Sequence, residues 1–352
     1  MLNFTLRKCL LSTINKHGFE SLKKSYSTNG HRIGLFGAPI SKGQPKSGTD
    51  MGPKLIRQAG IVKYLEAFGN EVHDFGDLQF QDLDQGKDKI GLLKNPYTVA
   101  AATKLLSEKV RQIVNKGLVP LTIGGDHSIA IGSVNGHAKA KENICLIWID
   151  AHADLNTVES SKTGNFHGMP VSFLIREFAE KLGNPNGKCP AFDWNTTCLN
   201  ADSVAFIGLR DLDIAERNHL NKLNIVHYTM QDVDKLGIHE VISRVLDKIC
   251  SGKKNIHVSF DIDAVDEYIV KSTGTAVPGG LTLREAFCIG EEIAKTKLLT
   301  GFDLVEVNPL IGTQDDVKQT INCALNIVLS FFGRNRIDLF ARPKGQEHYK
   351  ID

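Results

Sequence analysis

From residue 31 onward, short apolar runs alternate with longer segments in which apolar positions recur at helical spacing. The runs at 32–37, 119–123, 144–149, 203–208, 256–260 and 302–307 are rich in β-branched and aromatic residues and predict strands. Between them, 52–67, 98–116, 170–181, 238–250, 282–295 and 315–331 predict helices, the first opening beside Pro53. Such alternation predicts the α/β class, a three-layer α/β/α arrangement around a doubly wound, mostly parallel sheet. No repeat or low-complexity linker divides the pattern, so residues 31–340 read as one domain and 341–352 as a tail. The stretch 183–200, with its Asn, Gly, Pro and Cys, predicts a long surface loop.

Composition narrows the picture by exclusion. The 352 residues carry 42 Lys plus Arg against 40 Asp plus Glu, a formal charge of +2, with no long block of one sign. Neither a nucleic-acid surface nor a membrane is expected, because no apolar run approaches the ~20 residues that span a bilayer. The seven cysteines lack CxxC spacing and read as reduced thiols. The first thirty residues stand apart. Arg7, Lys8, Lys16, Lys23 and Lys24, several hydroxyl residues and no acid before Glu20 predict a mitochondrial transit peptide over 1–30, hence a matrix location, with the cytoplasm as the alternative.

In open parallel sheets ligands bind beyond the carboxyl ends of the strands, so the polar clusters that follow the apolar runs carry the chemistry. Three stand out. LTIGGDH ends on Asp126 and His127; ICLIWIDAHAD places Asp150, His152 and Asp154 at alternate positions; IHVSFDID brings Asp261 and Asp263. In extended backbone, side chains two apart share a face, so each strand end presents its acids and imidazole together. Four carboxylates in one crevice repel unless a cation compensates. Bridging carboxylates let these six side chains hold two ions about 3.5–4 Å apart. Oxygen-dominated ligation with some imidazole and no thiolate favours Mn²⁺ over structural Zn²⁺, with Co²⁺, Ni²⁺ and Fe²⁺ able to occupy the same ligands. Asp126 and Asp266 read as orienting or capping groups beside the ligands.

GGDHSIAIGS, DAHADLN, GNFHGMPVSFL, SFDIDAVD, TGTAVPGGLTLREA and DLVEVNP, with GAPISKGQPKSGTDMGP before them, together resemble the arginase (ureohydrolase) family, mitochondrial type included, over roughly His31 to Gly333. The resemblance implies hydrolysis of L-arginine to L-ornithine and urea by a hydroxide bridging two Mn²⁺. His127, Asp150, Asp154 and Asp261 would hold one ion, and Asp150, His152, Asp261 and Asp263 the other. It further implies Glu306 as the guanidinium-binding carboxylate, with Thr275 helping to orient the site around it, and His167 as a proton shuttle. Asn156, Thr163, Asn165, Asp213 and Glu216 would bind the amino-acid head group. Arg336 would pair with Asp234 and Glu285 of neighbours in a homotrimer.

The chain departs from the family pattern in two places. Between Asn156 and Asn165, arginases usually carry a Pro and a Ser where this chain has Val158 and Thr163, while Glu159 and Lys162 add charges. The Arg-Glu-Gly of family members reads Arg336-Ile337-Asp338 here. The competing functions are an agmatinase or guanidinobutyrase with the same metals and no head group to recognise, and a catalytically silent scaffold of the same fold.

Overall fold

The computed structural model describes residues 30–337 except 82, 84–87, 183–184 and 253–254. The expected leader, apart from Gly30, and the expected tail lie outside those residues. The strands are β1 (Arg32–Ala38), β2 (Glu71–Asp77), β3 (Lys89–Ile90), β4 (Leu93–Lys94), β5 (Val119–Gly124), β6 (Ile144–Ile149), β7 (Val204–Leu209), β8 (Val226–Thr229), β9 (Asn255–Asp261) and β10 (Leu299–Val305). Eight form one sheet in the order β2-β1-β5-β10-β9-β6-β7-β8, with every neighbouring pair parallel. β3 and β4 make a separate antiparallel hairpin.

Every residue of β6 and of β7 is buried, as expected of interior parallel strands covered by helices on both faces. One layer packs Val241, Val245, Ile289, Ile293, Ile327 and Val328 against Ile123, Ile147, Ile207 and Val258. On the other face, the helices Pro96–Asn115 and Ala130–Ala140 approach each other closely. A Cβ at Gly132 would stand 2.3 Å from the Thr103 carbonyl, and one at Gly136 2.2 Å from that of Ser107. Only glycine permits this backbone contact, which seats the helix that follows His127. No helix among the described residues is long and apolar enough to cross a membrane.

Four expectations change in detail. The helix expected over 52–67 is two, Gly52–Gln58 and Ile61–Ala67, because Gly60 turns left-handed between them at φ 97°. The helix expected over 170–181 opens instead as a tight turn, Pro170–Phe173, and becomes α-helical only at Arg176–Lys181, after Ile175 bridges to Leu199. The stretch 183–200 is only partly a surface loop. Cys189 and Phe192 are fully buried, with the Phe192 ring 5.2 Å from Phe166 and 4.8 Å from Phe173, so it braces the loop that carries His167. Strands β2 and β8 and the helix Ala130–Ala140 were not expected.

Candidate metal centre

β5, β10, β9 and β6 are the four central strands, and the clusters foreseen from the sequence lie at their carboxyl ends. β5 runs into Gly124 and Gly125. A Cβ at Gly125 would sit 1.8 Å from the Ile40 carbonyl, so the chain turns there only as glycine. Asp126 then caps the turn that follows: its carboxylate accepts from the Ser128 amide at 3.0 Å and from the Gly43 amide at 2.8 Å. Burial and Glu306 push its pKa up to about 6. The His127 ring lies flat on Trp148, centroids 3.8 Å apart, with its Nε2 2.9 Å from Ser259 Oγ.

The second and third clusters converge by turning rather than by strand alternation. β6 ends at Ile149, and the chain bends through Asp150 to Asp154, whose φ is 48°. Asp261 closes β9, then accepts from the Asp263 amide at 2.9 Å and caps a single turn, Ile262–Ala264. The acids meet because each strand gives way to a tight turn at the crevice. Left-handed backbone is costly for residues with a Cβ, and two such residues, Asp154 and Glu306 (φ 64°), stand at this site.

His127 Nδ1 faces Asp150 at 3.1 Å, Asp154 at 3.2 Å and Asp261 at 3.1 Å. His152 Nδ1 lies 3.3 Å from both Asp150 and Asp263. Two triads result, His127–Asp150–Asp261 and Asp150–His152–Asp263, with Asp150 in both. The completely buried His127 Nδ1 has no hydrogen-bond partner despite three nearby carboxylate oxygens. Ligand atoms bonded at about 2.1 Å to one octahedral cation lie about 3 Å from one another. The donor set therefore fits a divalent cation at each triad.

Electrostatics support that fit. Burial raises the Asp261 carboxyl well above its usual range, with Asp263 and Asp150 adding to it, and burial with Asp150 pushes Asp154 to about 6. Burial opposes charge on both imidazoles, yet the carboxylates facing them hold His127 and His152 above the ordinary histidine value. A divalent cation held at these groups would compete with the protons that burial and carboxylate repulsion favour there.

Beside the triads, Glu306 is buried. One oxygen accepts from the His127 amide at 2.8 Å and the other from Gln44 Nε2 at 2.7 Å. His167 Nδ1 is 3.6 Å from Glu306 Oε1. Burial would lower the His167 pKa, but the carboxylate of Glu306 outweighs it and the net shift is upward. Thr275, expected beside Glu306, instead donates to Asp263 at 2.9 Å. Gln44 occupies the expected role and carried no signal of its own in the sequence.

The head-group candidates gather at the rim. Asn156 Nδ2 donates to Asp213 at 3.1 Å, and Thr163 Oγ1 accepts from the Asn165 amide at 3.3 Å. Glu216 is buried, with its oxygens taken by the amides of Leu155 at 3.1 Å and Asp213 at 2.9 Å. Burial pushes it up to about 7 against the pull of those two amides. It shapes the rim by capping the helix Ile214–Lys222. Far from the site, Arg336 pairs within its own chain with Glu291 at 2.8 Å, Glu285 caps the helix Leu283–Thr296 through Thr282, and Asp234 is exposed.

Residues 31–333 match the model of the Arginase family. The chain is 43% identical over 327 residues to Arginase-1 of Bos taurus, spanning 90% of this chain and all of that one. It is 41% identical to mitochondrial Arginase-2 of Homo sapiens over 334 residues, 94% of this chain and 92% of the relative. The crystal structure of arginase from Bacillus subtilis superposes with a TM-score of 0.78 at 34% identity, covering 87% of this chain and 99% of that one. A parallel sheet with paired His/Asp triads at its central strand ends, matched along nearly its whole described length, leaves one conclusion: the chain belongs to the arginase family.

Proposed function

We propose that this protein hydrolyses L-arginine to L-ornithine and urea, using two Mn²⁺ ions held by His127, Asp150, Asp154 and Asp261 on one side and by Asp150, His152, Asp261 and Asp263 on the other. The observation that carries the proposal is the pair of triads sharing Asp150 with Glu306 beside them. When bound, the two cations would supply Lewis-acid chemistry that brings the pKa of a water near 7. Four carboxylates balance two divalent charges, so a cationic guanidinium approaches a formally neutral site.

The chain's own residues do the rest. Glu306 takes the guanidinium in a charge-assisted hydrogen bond and holds it beside the two triads. Gln44 and the His127 amide hold that carboxylate in place. His167 turns Nδ1 toward Glu306, so Nε2 is the atom that passes a proton to the departing amine. At the rim, Asn156, Thr163 and Asn165 meet the α-carboxylate. Asp213 meets the α-ammonium, with Glu216 holding Asp213 and the Leu155 backbone in register. Thr275 orients Asp263.

Urea release from L-arginine, agmatine and guanidinobutyrate with added Mn²⁺ tests the substrate assignment. Strong preference for L-arginine is expected, because a site built for the α-carboxylate leaves donors unpaired when it is missing. Equal rates on agmatine would move the chain to another ureohydrolase branch, and no urea from any substrate would leave a silent scaffold. We also read residues 1–30 as a mitochondrial leader, and Arg336, Asp234 and Glu285 as contacts of a homotrimer. Mitochondrial import of a 1–30 fusion to a fluorescent protein and a three-subunit mass in light scattering are expected; a diffuse signal or a monomer would contradict the respective reading.

A further inference from the structure

Lys162 stands in the loop that carries Asn156, Thr163 and Asn165, and its ammonium lies 3.7 Å from Asp213 Oδ1. The other oxygen of Asp213 accepts from Asn156. Lys162 therefore faces the carboxylate assigned above to the substrate α-ammonium, and its neighbour Thr163 is assigned to the α-carboxylate. We propose that Lys162 is a specificity-determining residue that selects guanidino substrates bearing an α-carboxylate. This rests on the arginase reading of the same site.

The loop gives the lysine a defined place. Ser160 Oγ accepts from the Thr157 amide at 2.8 Å and donates to Asn156 Oδ1 at 2.9 Å, and the Gly164 amide donates to Ser161 Oγ at 3.0 Å. The Gly164 carbonyl accepts from the Lys94 amide at 3.0 Å, and a Cβ at Gly164, where φ is +70°, would lie 1.9 Å from the Leu92 carbonyl. Glu159 pairs with Lys188 on the far side of the loop. Lys162 emerges from this pinned turn with its side chain 77% exposed, so its charge is screened yet sits at the mouth of the site.

An amino-acid head group carries an ammonium and a carboxylate side by side. The pair Asp213–Lys162 is the inverse arrangement, an anion beside a cation. When the α-ammonium reaches Asp213, the α-carboxylate comes toward Lys162 and both charges find partners. Agmatine brings only the ammonium. It must share Asp213 with Lys162 and meets a like charge that nothing offsets, so the lysine acts for one substrate and against the other.

The test compares kcat and KM for L-arginine and agmatine on the Mn²⁺-loaded wild type, Lys162→Gln and Lys162→Arg, at low salt and at about 0.5 M salt, where the Debye length falls to about 4 Å. In Lys162→Gln the KM for L-arginine should rise about two- to fivefold, the scale of a solvent-screened ion pair, while kcat holds. The arginine-to-agmatine ratio of kcat/KM should fall by a similar factor. Lys162→Arg should restore both, and high salt should shrink the difference. An unchanged ratio in Lys162→Gln, or an equal rise in KM for both substrates, would overturn the proposal while arginine hydrolysis stands. A wild type that releases urea from agmatine but not from arginine would overturn the arginase reading itself, and this proposal with it.

Discussion

Glu306 is held at both oxygens, by Gln44 from one side and by the backbone of His127 from the other. A buried carboxylate with two donors is already oriented before a guanidinium arrives, and its remaining lone pairs point where such a cation can meet them. Gln44→Ala should leave both metals bound and cost about 1.5–3 kcal/mol of transition-state binding, roughly ten- to a hundredfold in kcat/KM for L-arginine. Wild-type kinetics in that variant would show that Glu306 needs no support from Gln44. The acids and imidazoles were legible as motifs because GGDH, DxHxD and DxD each follow an apolar run. Their convergence was expected from strand alternation, whereas tight turns at Asp150–Asp154 and Ile262–Ala264 bring it about. The role of Gln44 was illegible: it lies inside GAPISKGQPKSGTDMGP, but a lone glutamine in a loop has no spacing to betray a partner 262 residues away.

Among elements, visibility followed burial. β6 and β7 lie between helical layers, so both faces must be apolar and each reads as an unbroken run. β2 is an edge strand, with Glu71, His73 and Asp74 exposed, and its polarity both hides it from the hydrophobic pattern and blunts the edge against pairing with another chain. The helix Ala130–Ala140 escaped for a different reason. Glycines at 132 and 136 and buried Ser133, Asn135 and His137 spoil its amphipathic signature, because it packs by backbone approach and internal hydrogen bonds. Residues 183–200 carry loop-forming Asn, Gly and Pro, yet Phe192 and Cys189 are pulled into the aromatic cluster around Phe166. Composition announced the turns, and the packing of single aromatic residues within them was a tertiary effect.

Across the whole molecule, the crevice exists because of strand order. β5 and β6 are consecutive in the sheet's sequence, but β10 and β9 lie between them, so His127, Glu306, Asp261 and Asp150 line adjacent strand ends despite their separation along the chain. Motifs show which strand ends carry chemistry, and only the assembled sheet shows that they adjoin. The proposed function requires this junction to hold two catalytic cations through a shared Asp150. Its most direct test is to strip the protein with a chelator, titrate Mn²⁺ back, and follow bound metal and urea from L-arginine together, in the wild type and in Asp150→Asn. Urea release should vanish on stripping and return as occupancy approaches about two ions per subunit, the number a two-metal site requires. Asp150→Asn should fail on both counts, losing one carboxylate from each triad. Full activity in the stripped protein, or wild-type occupancy and rate in Asp150→Asn, would contradict it.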